Sequence, residues 1–198
     1  ALNYGLSHCS GTFIARMDTD DVSLPHRLYT QLNVLLHEPS IDIVGSYASE
    51  IDNFGKIISL RKVPISHSEI TKYIWTNPLI HPSVMFKKDS ILKIGCYRHL
   101  KFRQDYDLWF RASRNGLIFK NIPEPLIHYR MDRQLKKKYN FKIVCEMVFI
   151  GLRGCVIARC RPVAYIGVFV PMLQLFIPPF LRSHLNRFFN KIDPRKRN

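Results

Sequence analysis

Leucines recur at positions 24, 28, 32, 35 and 36, a spacing of three and four that predicts an amphipathic helix with one apolar face turned to a sheet. Ser23 is its expected N-cap, Pro25 lies in its first turn, and His37-Glu38-Pro39 closes it. Upstream, Leu2 and Leu6 mark the end of another helix, Ser10-Gly11 a loop, and residues 12–17 a short buried strand. Downstream, the β-rich runs 41–52 and 56–63 flank the turn signal Asn53-Phe54-Gly55 and predict a hairpin. Ser66 with Glu69 three residues later is a capping box, opening a helix that Asn77-Pro78 stops. "LIHPSVMF" reads as a strand and "DSILKIG" as a short helix ended by Gly95. "FRQDYDLWFRASRNG" predicts a helix with Leu108, Trp109 and Ala112 inward and Gly116 as its stop. "LIFKNIPEPLIHYR" is a final strand pair or extended segment.

Beyond Arg133 the pattern changes. "QLKKKYNFK" is basic, "IVCEMVFIGLRGCVIARC" is apolar but broken by charges, and residues 162–181 run for 20 positions without a charge. That length just suffices for a membrane-spanning helix, but Pro171 interrupts it at the centre, which favours shallow insertion at a membrane surface over a full span. A buried helix pair of a soluble domain is the competing reading.

At 198 residues and 46% apolar the chain is long enough for a folded domain with its own core. The net charge of +15 suggests a nucleic-acid binder until its distribution is read. Residues 1–132 hold 16 basic against 13 acidic side chains, residues 133–198 hold 14 against 2, so the basicity belongs to the apolar tail. Basic residues around apolar runs, without interleaved aromatics, suit anionic lipid and argue against nucleic acid. Five cysteines, odd in number and without a C-x-x-C pair, argue against a disulfide framework or a zinc site and for a reducing compartment. No signal peptide is expected at the start.

Two groups of residues can carry chemistry. Asp18, Asp20 and Asp21 follow the first predicted strand within four positions, where they repel one another unless a cation neutralises them. Mg²⁺ or Mn²⁺ does so with one or two carboxylates and fills its remaining positions with phosphate oxygens. A helix-capping role for Asp21 or Ser23 is the plain alternative, and the run lacks the glycine and closing glutamate of an EF-hand. Asp105 and Asp107 sit at a predicted helix N-terminus, which favours the ionised form and keeps a base available; taken singly, either is as well explained as a cap. His81 before Pro82-Ser83 reads as a half-buried histidine with a contact to acceptor or phosphate as the alternative, and no glycines surround Ser83 to make it a hydrolase nucleophile. Trp75 and Trp109 read as core, with a sugar-stacking floor as the alternative for Trp109.

"ALNYGLSHCSGTFIARMDTDDVSLPHRLYTQLNVLL", "HPSVMFKK", "RQDYDLWFRAS" and "IPEPLIHYR", in this order and spacing, resemble the second half of the catalytic domain of family 2 glycosyltransferases of GT-A fold, of the bacterial surface-polysaccharide type. The resemblance covers about residues 1–132, with 133–198 as a basic, membrane-associating tail. It implies an α/β fold, a GT-A-like mixed sheet flanked by helices, lacking the first nucleotide-binding strands and followed by C-terminal apolar basic helices. Asp18 and Asp20 match the family's D-x-D, which binds the donor diphosphate through Mn²⁺ or Mg²⁺. Asp105 matches the general base of an inverting displacement, and Arg130, with Tyr129, a pair that helps close the site over the diphosphate. Gln104 stands where the family usually has Glu.

The expected partners are a nucleotide-sugar donor, foremost a UDP-sugar, a lipid-linked (undecaprenyl-diphosphate) saccharide acceptor and an anionic membrane surface, with no nucleic acid. The expected location is the cytoplasmic face of the inner membrane. The chain reads as N-terminally truncated, so its alternative role is an inactive, membrane-bound interaction module whose sheet edge would associate with another chain.

Overall fold

The computed structural model of the protein describes residues 1–131 and 141–176. Helix α1 (Leu2–His8) leads into β1 (Phe13–Ala15), a two-residue strand β2 (Val22–Ser23) and α2 (Arg27–His37). The hairpin β3 (Ile43–Ile51) and β4 (Ile57–Arg61) follows, then α3 (His67–Lys72), β5 (Met85–Lys87) and α4 (Lys88–Lys93). Next come α5 (Gln104–Arg114) and β6 (Phe119–Arg130), and then α6 (Phe141–Ile157), α7 (Pro162–Val168) and α8 (Val170–Phe176).

The six strands form one mixed sheet in the order β1-β5-β3-β6-β2, with β4 on the far half of β3. Only β3 and β6 are parallel, running together from Ile43 opposite Phe119 to Ile51 opposite Arg130. Their register slips around Tyr47, opposite Pro123 and Pro125. Proline cannot donate to the ladder, so the strand bulges there and resumes. What reads as a strand pair in "LIFKNIPEPLIHYR" is therefore one twelve-residue strand.

Alternation sends neighbouring side chains to opposite faces. Ile43 and Phe86 join Trp109 and Phe110 of α5 in the larger core, while Val44 and Met85 join Leu35 of α2 in the smaller. Helices thus cover both faces, as expected for an α/β sheet. The capping box is present, with the Ser66 hydroxyl accepting from Glu69 N and the Glu69 carboxylate accepting from Ser66 N. Trp109 is fully buried, which assigns it to the core rather than to a sugar floor. Gly95 and Gly116 end α4 and α5 at φ of 83° and 75°.

Local readings change: the helix that Ser66 opens ends at Lys72 and gives way to a 3₁₀ turn at Ile74–Thr76 before Asn77. Ser23 pairs with Ile127 in β2 and caps no helix; α2 starts after His26. Its buried face is Arg27, Gln31 and Leu35, while Leu28 and Leu36 are exposed. The polar pair wins these places because unpaired carbonyls lie beneath: Arg27 donates to Arg16 O at 2.7 Å, and Gln31 to Ser83 O at 2.7 Å and Val44 O at 3.2 Å. "LIHPSVMF" divides into a 3₁₀ turn at His81–Ser83 and the short strand β5.

Helices α6 and α7 share the larger core with α5, contributing Val144, Val148, Cys155, Ala164 and Val168. Glycines make the approach close. A Cβ on Gly154 would stand 2.0 Å from the ring of the buried Phe110, and one on Gly167 2.2 Å from the ring of Trp75. Alanine normally strengthens a helix relative to glycine. Gly154→Ala should nevertheless destabilise, by roughly 1–3 kcal/mol, because an aromatic ring enclosed on all sides cannot step aside. Thermal unfolding followed by circular dichroism should show a midpoint lowered by about 2–12 °C for a domain of this size; an unchanged or raised midpoint would place α6 away from α5. Among the described residues no helix is long and apolar enough to cross a membrane. The charge-free run continues beyond them, as do most of the basic stretch 133–142 and the basic residues from Arg182 onward.

Candidate functional site

The acidic loop begins where β1 ends. Arg16 N still donates to Val84 O at 2.9 Å, and the chain then turns so that Asp21 N reaches Asp18 O at 3.3 Å. The Arg16 guanidinium forks the Asp18 carboxylate at 2.7 and 2.5 Å, an ion pair that holds one of the three acids. Asp20 is exposed. Asp21 is only 7% exposed; its Oδ1 accepts from Arg130 N at 2.8 Å and its Oδ2 is buried without a partner. Burial pushes the Asp21 carboxyl above its ordinary value, and the neighbouring Asp20 and Asp18 push the same way.

One oxygen from each of Asp18, Asp20 and Asp21 lies within 4.8 Å of the others. Three converging carboxylate oxygens, one of them orphaned and desolvated, fit a hard divalent cation, whose charge would offset both the repulsion and the desolvation. Arg130, at the end of β6, reaches into the same loop: its Nε donates to Asp20 O at 2.9 Å and its Nη1 to Asp52 O at 2.8 Å. The Tyr129 ring carries the Arg61 guanidinium 4.7 Å above its centroid.

Asp105 lies at the second position of α5, preceded by Arg103 in left-handed backbone. Its Oδ2 accepts from Asn77 Nδ2 at 2.9 Å. Beside it, His81 Nε2 is 3.0 Å from the Tyr97 hydroxyl, and the His81 ring stands edge-on to Trp109. Burial drives His81 down to about 4, while the charge of Asp105 opposes this, Arg16 reinforces it and Asp18 opposes it. The charges of Asp105 and Asp18 thus both act on this imidazole, in the direction opposite to burial. Burial also raises the Tyr97 hydroxyl, keeping it protonated.

Asp107, the other acid of "QDYDLW", turns the opposite way. It is buried between Arg111 at 2.8 Å and Arg98 at 3.0 Å, and Arg111 continues to Ile94 O and Cys96 O. Gln104 donates to Leu100 O at 2.7 Å, a bond that needs an amide and that a Glu could not make. The Ser83 hydroxyl is committed to Ile80 O at 2.8 Å and faces Ser46, which removes it as a nucleophile. Arg16, Asn77 and Tyr97 were not legible as site residues, since each is polar and singly placed. Only the "RMD" adjacency of Arg16 to the acids offered a clue.

His81 gives the site a pH signature. The unfolded imidazole takes a proton near 6.5 and the folded one near 4, so the stability it contributes is whole above 6.5 and is lost as pH falls toward 4. Between pH 7 and pH 5 the wild type should lose about 2 kcal/mol more than His81→Gln in urea unfolding. Equal losses would mean that the imidazole is charged in the folded protein.

A mixed sheet with helices on both faces, carrying an acidic loop where β1 ends and a separate carboxylate on the first turn of α5, has a GT-A-like architecture. The fold is shared with S. aureus TarS, at a TM-score of 0.57 and 13% identity over 86% of this chain and 29% of that one. Residues 1–105 match Glycosyl transferase family 2, and the chain belongs to that family. It is 34% identical over 139 residues to the amylovoran biosynthesis glycosyltransferase AmsE of Erwinia amylovora, covering 70% of this chain and 52% of that protein. It is 38% identical over 141 residues to the O-antigen biosynthesis glycosyltransferase WbnJ of Escherichia coli, covering 70% and 55%. A third relative, the UDP-Gal:alpha-D-GlcNAc-diphosphoundecaprenol beta-1,3-galactosyltransferase of Escherichia coli, is 32% identical over 140 residues, covering 70% and 50%. The chain spans about half the length of these relatives.

Proposed function

We propose that the site transfers a sugar from a nucleotide-sugar donor, foremost a uridine diphosphate sugar, to a lipid-linked saccharide with inversion at the anomeric carbon. The observation that carries this reading is the convergence of carboxylate oxygens from Asp18, Asp20 and Asp21, one of them buried without a partner. Asp18, Asp20 and Asp21 would hold Mn²⁺ or Mg²⁺, which when bound supplies positive charge for a diphosphate. Arg130, already fixed on the backbone of that loop, adds a guanidinium to the same end of the site.

At the other end, Asp105 accepts the proton of the acceptor hydroxyl as its oxygen forms the new bond to the anomeric carbon. The bond from that carbon to the donor diphosphate breaks on the opposite side, and its electron pair leaves with the nucleoside diphosphate. Burial keeps His81 neutral at neutral pH, with its Nε2 held 3.0 Å from the Tyr97 hydroxyl. The name of the galactosyltransferase relative supports the lipid-linked acceptor. Exposed Phe149, Val156, Val163 and Ile166 on α6 and α7 and Phe169 just after α7, with the exposed Arg153, Arg159 and Arg161 of the same segment, support a peripheral position on the anionic cytoplasmic face of the membrane.

Isothermal titration of the chain with uridine diphosphate tests the donor side. Binding should require Mn²⁺ or Mg²⁺ and should weaken at least tenfold in Asp20→Ala. A folded chain that binds no uridine diphosphate with either metal overturns the reading and leaves the inactive interaction module in its place.

A further inference from the structure

The turn that faces α5 ends on Asn77, in left-handed backbone (φ 57°, ψ 67°) directly before Pro78. Among the described residues, Asn77 Nδ2 is the one hydrogen-bond donor to the Asp105 carboxylate, at 2.9 Å on Oδ2. We infer that Asn77 is a positioning residue for the transfer reaction: its amide fixes the rotation of the Asp105 carboxylate and leaves Oδ1 to receive the acceptor's proton. This rests on the reading of Asp105 as the base.

The side chain is more than a consequence of the backbone. A left-handed position admits glycine most readily and asparagine next. Glycine would satisfy the turn and bury nothing polar, whereas Asn77 buries its Oδ1 without a partner. An orphaned amide oxygen is unfavourable, so the residue's benefit lies in the bond its nitrogen makes. The donor is also held still. Asn121 Nδ2 grips Pro78 O at 3.1 Å and Pro64 O at 2.6 Å, and the Tyr106 hydroxyl donates to Trp75 O at 2.5 Å, so the turn is clamped to β6 on one side and to α5 on the other.

The other groups around Asp105 are committed elsewhere. His81 is neutral and bonded to Tyr97. Arg16 is forked on Asp18. Arg103, two residues before Asp105, turns its guanidinium to Met147 Sδ at 3.9 Å and over the Tyr106 ring. A carboxylate with a single donor relies on that donor for its orientation.

Asn77→Gly deletes the donor while keeping the backbone conformation, and Asn77→Asp keeps the shape but sets one carboxylate against another. Single-turnover transfer rates with saturating donor, compared for wild type, Asn77→Gly, Asn77→Asp and Asp105→Asn, read the orientation of the Asp105 carboxylate. In transfer assays kcat should fall 10- to 100-fold in Asn77→Gly with the donor KM unchanged. Thermal midpoints near the wild type in Asn77→Gly separate this from a folding defect. A kcat unchanged in folded Asn77→Gly while Asp105→Asn lowers it overturns the inference. A kcat unchanged in both variants rejects Asp105 as the transferase base, and with it the reading on which the inference rests.

Discussion

Asp105→Asn should lower kcat for sugar transfer by 10² to 10⁴, the range removed when a positioned proton acceptor is lost, while leaving metal-dependent binding of uridine diphosphate within twofold of the wild type. The separation follows from the layout. Among the described residues Asp105 shares no hydrogen bond or ion pair with the acidic loop; its carboxylate accepts from Asn77. An asparagine at 105 is nearly isosteric and its Oδ1 can still accept from Asn77 Nδ2, so the turn and the first turn of α5 should keep their geometry. What it cannot do is take a proton from a hydroxyl. Single-turnover kinetics with saturating donor read the chemical step directly, and titration calorimetry reads the binding. Equal rates in the two proteins would move the base to another group; a parallel loss of donor binding would mean that the two ends of the site form one structural unit.

The sequence disclosed the elements whose signals are local. The capping box at Ser66, the hairpin around Gly55, the stop at Gly116 and the inward Leu108, Trp109 and Ala112 each depend on a few neighbouring residues, and each stands as read. It misled wherever a long-range partner overrode the local rule. Ser23 has the chemistry of an N-cap, but β6 runs past it and takes its backbone into the sheet. Leu28 and Leu36 have the period of a core face, but the strand ends beneath α2 present carbonyls, which a leucine cannot satisfy.

The same limit applies to the site. Asp18 and Asp20 form a motif readable from spacing, and Asp105 from its position on a helix. Asn77 and Tyr97 reach Asp105 and His81 across 28 and 16 positions of chain, distances at which one sequence carries no pairing signal. Spacing alone leaves Asp105 and Asp107 equivalent; only the family resemblance separates them in the sequence, and the structure adds that Arg98 and Arg111 claim the second.

The largest stability loss should come from Arg27, a residue that no motif marks. It is 1% exposed, and burial lowers its guanidinium to about 10, so it remains charged at neutral pH. Its Nη2 donates to Arg16 O at 2.7 Å and Val84 O at 3.4 Å, and its Nε to Gln31 Oε1 at 3.0 Å. One side chain thus joins α2 to the ends of β1 and β5, at the point where β1 turns into the acidic loop. Arg27→Ala opens a cavity and strands those acceptors, a combination that costs roughly 3–5 kcal/mol. The thermal midpoint should fall by about 10 °C or more. Arg27→Met refills the volume without restoring a donor, so the difference between the two variants measures packing and the remainder measures the stranded carbonyls. Because Arg16 O anchors the residue that holds Asp18, both variants should also loosen Mn²⁺ binding in the fraction that remains folded. Were Arg27→Met as stable as the wild type and unchanged toward Mn²⁺, the buried guanidinium would be filling space, and the acidic loop would take its shape from Arg16 and Arg130 alone.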